Sequence, residues 1–287
     1  MAVNRTQQIT REWLQQSGLA GDQLLLEALL RRGFLAYLDE HGIWLGTGSH
    51  PEDIVVLRQI DGLAIEAVSS HKDRMASLSL TAHEIPVMRV ALAIVAIPEN
   101  HWDGHSRWTG YGLPGYWGNV GWNSYRKMAW GAKMALCPTT RLRGSQSENA
   151  LDLGLALLVK ALPLARVATH ACCDGHGVKP VWIAFATDWD SLWARAVFEV
   201  VEGPMPNSSW DWNGALHVKP KGDFGDAEVL GMLDDIQHFS RRLLHQTIID
   251  KIGKARSMTL MALGDSPPIA ESFAEEASRQ LAKEFPS

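Results

Sequence analysis

Residues 167–201 read VATHACCDGHGVKPVWIAFATDWDSLWARAVFEVV, and this stretch decides the fold class. Val167 to Ala171 is a short apolar segment rich in β-formers. The Gly-containing loop Cys172-Cys173-Asp174-Gly175-His176-Gly177 follows, and Val181 to Thr187 is a second β-rich run. Asp188 then opens a helix over Trp189 to Val201. Upstream, Ser145 and Glu148 have the spacing of a capping box, and Leu151 to Leu162 runs mostly apolar up to Pro163, which predicts a buried helix. Downstream, Ala215 to Val218 is a third strand. Val229, Leu233, Ile236, Leu243 and Ile248 place a long amphipathic helix over Asp226 to Ile252, closed by Gly253, before a last helix at Ile269 to Lys283. The order α-β-β-α-β-α after residue 145 predicts an α/β or α+β fold, a small sheet covered by helices.

Toward the N-terminus, Thr10 to Gln16 and Asp22 to Asp39 read as helices, the second crowded with leucines. Ile43 to Leu45, Ile54 to Leu57 and Leu63 to Val68 lean to strand. Val87 to Ile97 fits a strand or a buried helix equally, because a nearly continuous apolar run carries no period. Three segments result: residues 1–100, helical and then strand-rich; residues 101–145, rich in glycine and tryptophan; and residues 146–287, which carry the CCDGHG loop. All three together could also form one domain.

The chain has 287 residues, 46% of them hydrophobic, with 27 Lys and Arg against 32 Asp and Glu for a net charge of -5. That is the profile of a soluble globular protein. No apolar run reaches a membrane span, and the opening residues lack the apolar core of a signal peptide, so a cytoplasmic protein without a membrane partner is expected. Three cysteines, two of them adjacent, do not make a disulfide framework, so the thiols are expected to be reduced, metal-bound or reactive.

The modest net charge conceals an asymmetry. Between Asp103 and Glu148 lie 44 residues without an acid, while Arg107, Arg126, Lys127, Lys133, Arg141 and Arg143 supply six positive charges. The window is therefore near +6 and the remainder near -11. His101 to Tyr125 also holds six glycines and four tryptophans, and a helix over Ser124 to Leu136 would align Arg126, Trp130 and Lys133 in one stripe. Cations neutralise phosphate and aromatic rings stack on bases. Trp117, Trp122, Arg126, Trp130, Lys133, Arg141 and Arg143 are thus the candidate ligand-binding residues, with an anionic ligand such as RNA or single-stranded DNA as partner. Packing of the tryptophans in a core loop is the competing reading. His101 and His105 flank Asp103 at a spacing that suits two metal ligands on a helix, though the glycines around them argue against one.

The chemistry concentrates in the loop. His170, Cys172, Cys173 and His176 lie within seven residues, and Cys173-x2-His176 can turn a thiolate and an imidazole onto one ion. On a regular strand His170 and Cys172 share one face, and Ala171 and Cys173 the other. The candidate metal ligands are Cys173, His176 and His170, with zinc as the candidate ion. A complete site would recruit Cys137, His217, His238 or His245. Cys173, Asp174 and His176 are equally the candidate catalytic set, a thiol activated by an imidazole with Asp174 as orienting group or general base. A wholly structural loop is the bland alternative.

Thr169-His170-Ala171-Cys172-Cys173-Asp174-Gly175-His176, followed by Pro180-Val181-Trp182-Ile183-Ala184-Phe185, resembles a T-x-x-S-C-x-G-H segment of uncharacterised bacterial and phage proteins. Locally it is also similar to the strand-loop segment of the wybutosine-synthesising methyltransferases of transfer RNA. That resemblance puts Cys173 at the motif cysteine and His176 at the motif arginine, and implies S-adenosylmethionine as cofactor. Ala171, Cys172 and Asp174 stand where the motif has serines. No G-x-G-x-x-G loop follows a strand, which disfavours an ordinary Rossmann methyltransferase or dehydrogenase, and no P-loop lysine motif, G-x-S-x-G elbow or H-E-x-x-H motif is present. Three functions follow: a protein that binds or modifies nucleic acid or nucleotides, a small-molecule metalloenzyme, and a non-catalytic partner whose aromatic surface docks another protein.

Overall fold

The computed structural model describes residues 5–46, 49, 51–67, 74–80, 85–97, 122, 152–185, 187–212 and 214–286, with the side chains of 51, 52, 74, 75, 170 and 171 excepted. In the N-terminal half the elements are α1 (Arg5–Gln16), α2 (Gly21–Arg32), β1 (Ala36–Asp39), β2 (Gly42–Gly46), α3 (Pro51–Leu57), β3 (Leu63–Ala67), β4 (Arg74–Leu80) and α4 (Val87–Val95). In the C-terminal half α5 (Ala156–Ala161), β5 (Thr169–Cys173), a 3-10 turn (Gly175–Gly177), β6 (Val181–Phe185), α6 (Asp188–Val201), β7 (Ser208–Asp211) and β8 (Ala215–Pro220) lead to α7 (Asp226–Arg242), α8 (Gln246–Leu263) and α9 (Ala270–Glu284). Each half builds a four-stranded antiparallel sheet, in the order β1-β2-β4-β3 and β5-β6-β8-β7. The fold is thus a mixed α and β one with a helical N-terminus, and antiparallel pairing selects the α+β form. Buried apolar residues from Ile9 to Leu281 form one connected cluster.

The second sheet shows why it needs helices on one face. Val181, Ile183 and Phe185 of β6 and Leu216, Val218 and Pro220 of β8 are buried, while Trp182 and Ala184 are half-buried and His217 and Lys219 exposed. This period-2 alternation sends one face to the core. On that inner side α6 and α7 pack against the strands. Thr187 caps α6, its hydroxyl accepting from the Asp190 N–H at 3.0 Å.

Several expected boundaries move. The helix expected over Asp22 to Asp39 stops at Gly33, whose φ of 99° and close approach to α5 require glycine: a Cβ there would lie 2.2 Å from Ala156 Cβ. Ala36–Asp39 is a strand instead. Ile54 to Leu57, expected to lean to strand, belongs to the helix Pro51–Leu57, and Val87–Val95 is a helix burying Val90, Ala91, Ile94 and Val95. The long C-terminal helix is two, α7 and α8, broken where His245 is extended, and Gly253 lies inside α8. Its apolar period runs through the break because both helices pack on the same core. Strands β4 and β7 were not expected; their sequences, RMASLSL and SSWD, carry few of the large apolar residues that mark the others. The expected capping box at Ser145 and the helix over Ser124 to Leu136 lie outside the described residues.

Candidate metal centre

The β5–β6 hairpin carries the site. Its turn is dictated by three successive left-handed residues, Gly175 (φ 68°), His176 (φ 52°) and Gly177 (φ 72°). For a histidine this region costs about 1–2 kcal/mol. Asp174 holds it there: its Oδ1 accepts the His176 backbone N–H at 2.7 Å and lies 3.3 Å from His176 Nδ1. At Gly175 a Cβ would approach the Pro180 carbonyl oxygen to 2.9 Å, so the hairpin also needs glycine for space. From α1, Arg5 donates Nη1 to the Gly177 carbonyl at 2.7 Å and Nη2 to the Phe224 carbonyl at 2.8 Å, while pairing with Asp226.

Within this frame Cys173 Sγ stands 3.8 Å from His176 Nε2 and accepts the Gly175 N–H at 3.4 Å. Asp152, in the turn before α5, reaches the same place, its Oδ2 accepting the Asp174 N–H at 2.8 Å. Ligand atoms of Asp152, Cys173, Asp174 and His176 all lie within 4.8 Å of one another. Zinc bonds of about 2.0–2.3 Å give a tetrahedral edge of roughly 3.5 Å, so the cysteine–histidine separation is already close to one. Asp152 and Asp174 are buried, and Asp174 Oδ2 has no hydrogen-bond partner. A buried unpaired carboxylate oxygen is costly unless a cation joins it. His176 leaves the cluster open to solvent on one side, with its side chain 56% exposed.

The two thiols differ. Cys172 pairs with Ile183 on the core face, and burial, with Asp152 next in effect, pushes its thiol up to about 12. Cys173 is on the open face. Burial pushes its thiol up as well, against the Gly175 N–H, and the carboxylates of Asp152 and Asp174 add to the rise. Both carboxylates work against a free thiolate at Cys173; a bound cation reverses that balance and holds the sulfur deprotonated.

Of the residues expected from the sequence, Cys173, Asp174 and His176 come together. The pairing shifts register between Thr169 and Ala171, so His170 sits at a bulge where simple alternation fails, and its side chain is outside the described ones. Asp152 went unnoticed, although a carboxylate in the apolar run Leu151 to Leu162 is the kind of residue that must find a partner when buried. His217 lies in strand β8 of the same sheet, whereas His238 pairs with Glu202 at 3.0 Å. Trp122 is packed in the core, its Nε1–H donating to the Gly264 carbonyl at 3.1 Å and its ring 5.1 Å from that of Trp189. Trp117, Arg126, Trp130, Lys133, Cys137, Arg141 and Arg143, with His101 and His105, lie outside the described residues. Among the described residues, no helix is long and apolar enough to cross a membrane. No family model, no curated protein and no solved structure matches the chain.

Proposed function

We propose that this protein is a metal-dependent enzyme acting on a small molecule, with one transition-metal ion, zinc by donor chemistry, held by Asp152, Cys173, Asp174 and His176. The observation that carries the reading is the convergence of four donors within 4.8 Å around a buried Asp174 whose Oδ2 lacks a hydrogen-bond partner. One sulfur, one imidazole and two carboxylates suit zinc better than the oxygen-only sets that magnesium and calcium prefer. The exposed His176 side leaves room for a water, whose acidity the ion would raise.

Elemental analysis of untagged protein tests this directly. About one equivalent of metal is expected, with loss on Cys173→Ser or Asp152→Asn. Less than a tenth of an equivalent, after incubation with zinc and desalting, overturns the reading.

A second reading rests on the acid-free window, 44 residues carrying six positive charges. In this reading an anionic partner, RNA or single-stranded DNA, is bound through Trp117, Arg126, Trp130, Lys133, Arg141 and Arg143. Trp122, expected among them, is instead buried in the core. Binding of single-stranded RNA that weakens steeply between 50 and 200 mM salt is the expected signature.

A further inference from the structure

Cys173 begins a rank that crosses the whole second sheet. It pairs with Trp182, Trp182 pairs with His217, and His217 pairs with Asp211. Directly paired residues of an antiparallel sheet project from the same face. The face is the outer one, since Trp182 is half-buried and His217, Lys219 and Asp211 are exposed, whereas Val181, Ile183, Leu216 and Val218 turn to the core.

Trp182 is anomalous there. The other described tryptophans are all engaged: Trp13 under Arg31, Trp44 on Tyr37, Trp122 and Trp189 on each other, Trp193 with the Ala165 carbonyl, and Trp210 and Trp212 on Phe198. Among the described residues, Trp182 alone has neither a ring neighbour nor an acceptor for its indole N–H. His217 and Lys219 likewise have no side-chain partner among the described residues. Ala184 and Ala215, directly paired in the next rank of the same face, present only methyl side chains beside the indole.

We propose that this outer face is a binding platform for a flat aromatic ring bearing an anionic group, of nucleoside monophosphate chemistry, with the ring stacked on Trp182 and the anion held by His217 and Lys219. The spacing suits such a ligand. Diagonal neighbours on paired strands lie about 7–8 Å apart, which sets Trp182 to Lys219 at the scale of a base and its phosphate separated by a sugar. Lys219 lies toward the end of the sheet that bears the Gly175–Gly177 turn, so the anionic end approaches the metal centre. The ring itself lies over the direct neighbour of Cys173. The inference deepens the metal-enzyme reading by naming its substrate class; it rests on that reading for the ligand's role, not for its binding.

Calorimetric titration of the full-length protein with adenosine monophosphate, adenosine and ribose 5-phosphate tests it, with metal content measured on the same samples. Adenosine monophosphate should bind more tightly than either fragment. Trp182→Ala should weaken it by roughly 5- to 150-fold, the worth of one stacked base, and Trp182→Phe should retain most of the affinity. Lys219→Gln should weaken the two phosphates but not adenosine. Unchanged affinity in a folded Trp182→Ala protein, or no heat from adenosine monophosphate at millimolar concentration, overturns the proposal. Stacking on Trp182 in protein that takes up no metal keeps the platform and removes the metal centre; metal without Trp182-dependent binding does the reverse.

Discussion

Asp174 carries the sharpest contradiction in the molecule: a carboxylate with no solvent exposure of its side chain, one oxygen committed to His176 and the other without a partner. In a protein that folds without a ligand, such a group is a net cost of about 1–3 kcal/mol. As a metal ligand it is useful. Asp174→Asn keeps an acceptor for the His176 N–H and removes the charge, so metal-free Asp174→Asn should melt no lower than the metal-free parent yet lose most of the rise in melting temperature that zinc confers. Thermal unfolding with and without zinc checks this, and an undiminished zinc effect would sink the assignment. Tyr37 supplies a second single-residue case, remote from the site. Stacked on Trp44 at 4.4 Å, its hydroxyl is pushed by burial from 10.0 up to about 12. A raised acid keeps its proton longer in the folded state, so its contribution is intact below pH 10 and is lost as pH climbs from 10 to 12. Tyr37→Phe should remove roughly 1 kcal/mol of that alkaline destabilisation at pH 11, read as a shallower fall in urea midpoint than the parent shows.

At the scale of elements, the β5–β6 hairpin depends on α1. Arg5 reaches two carbonyls and Asp226, and its aliphatic carbons cover Gly177, with Cβ and Cγ each 3.5 Å from where a Gly177 Cβ would stand. Arg5→Ala should cost about 1–2 kcal/mol by urea unfolding, discounted for partial exposure, and should lower zinc affinity in competition with a chromophoric chelator. Equal affinity would mean that the turn needs no help from α1. The same hairpin shows what was legible in the sequence. Strands β5, β6 and β8 and helix α6 were readable because alternation, Asp188 and the glycine pair agree with the tertiary outcome. The cysteine–histidine half of the cluster was readable because it is local. Asp152 was not, since it lies 21 positions before Cys173 and no periodicity links a turn to a hairpin across α5. The break between α7 and α8 left no glycine or proline to mark it, and the apolar stripe that runs through it reports the shared core, not helix continuity. Likewise the unbroken leucines of α2 hid Gly33, whose role is a contact with α5 that no local pattern encodes.

Across the whole molecule, α5 joins the two halves. Asp152 stands at its leading end beside the hairpin, and Lys160 near its other end is buried against Asp53 of α3, with Nζ 3.3 Å from each carboxylate oxygen. Lys160 lies 5.2 Å above the Phe34 ring, and burial lowers its affinity for a proton, while Asp53 opposes that effect. Desolvating two charges costs as much as their attraction returns, so the pair is a poor source of net stability. It is nevertheless expensive to break, because removing one partner takes the ion pair from a charge buried in the core. Lys160→Met should therefore lose about 3–5 kcal/mol, while adding Asp53→Leu should recover most of that loss and bring the double variant near the parent. Urea unfolding of the parent, the two single variants and the double variant yields the coupling. A coupling below about 0.5 kcal/mol would show that α5 is not tied to α3 through this pair. Near-parental stability of the double variant together with weakened zinc binding would place the value of the ion pair in aiming α5, and with it Asp152, at the hairpin.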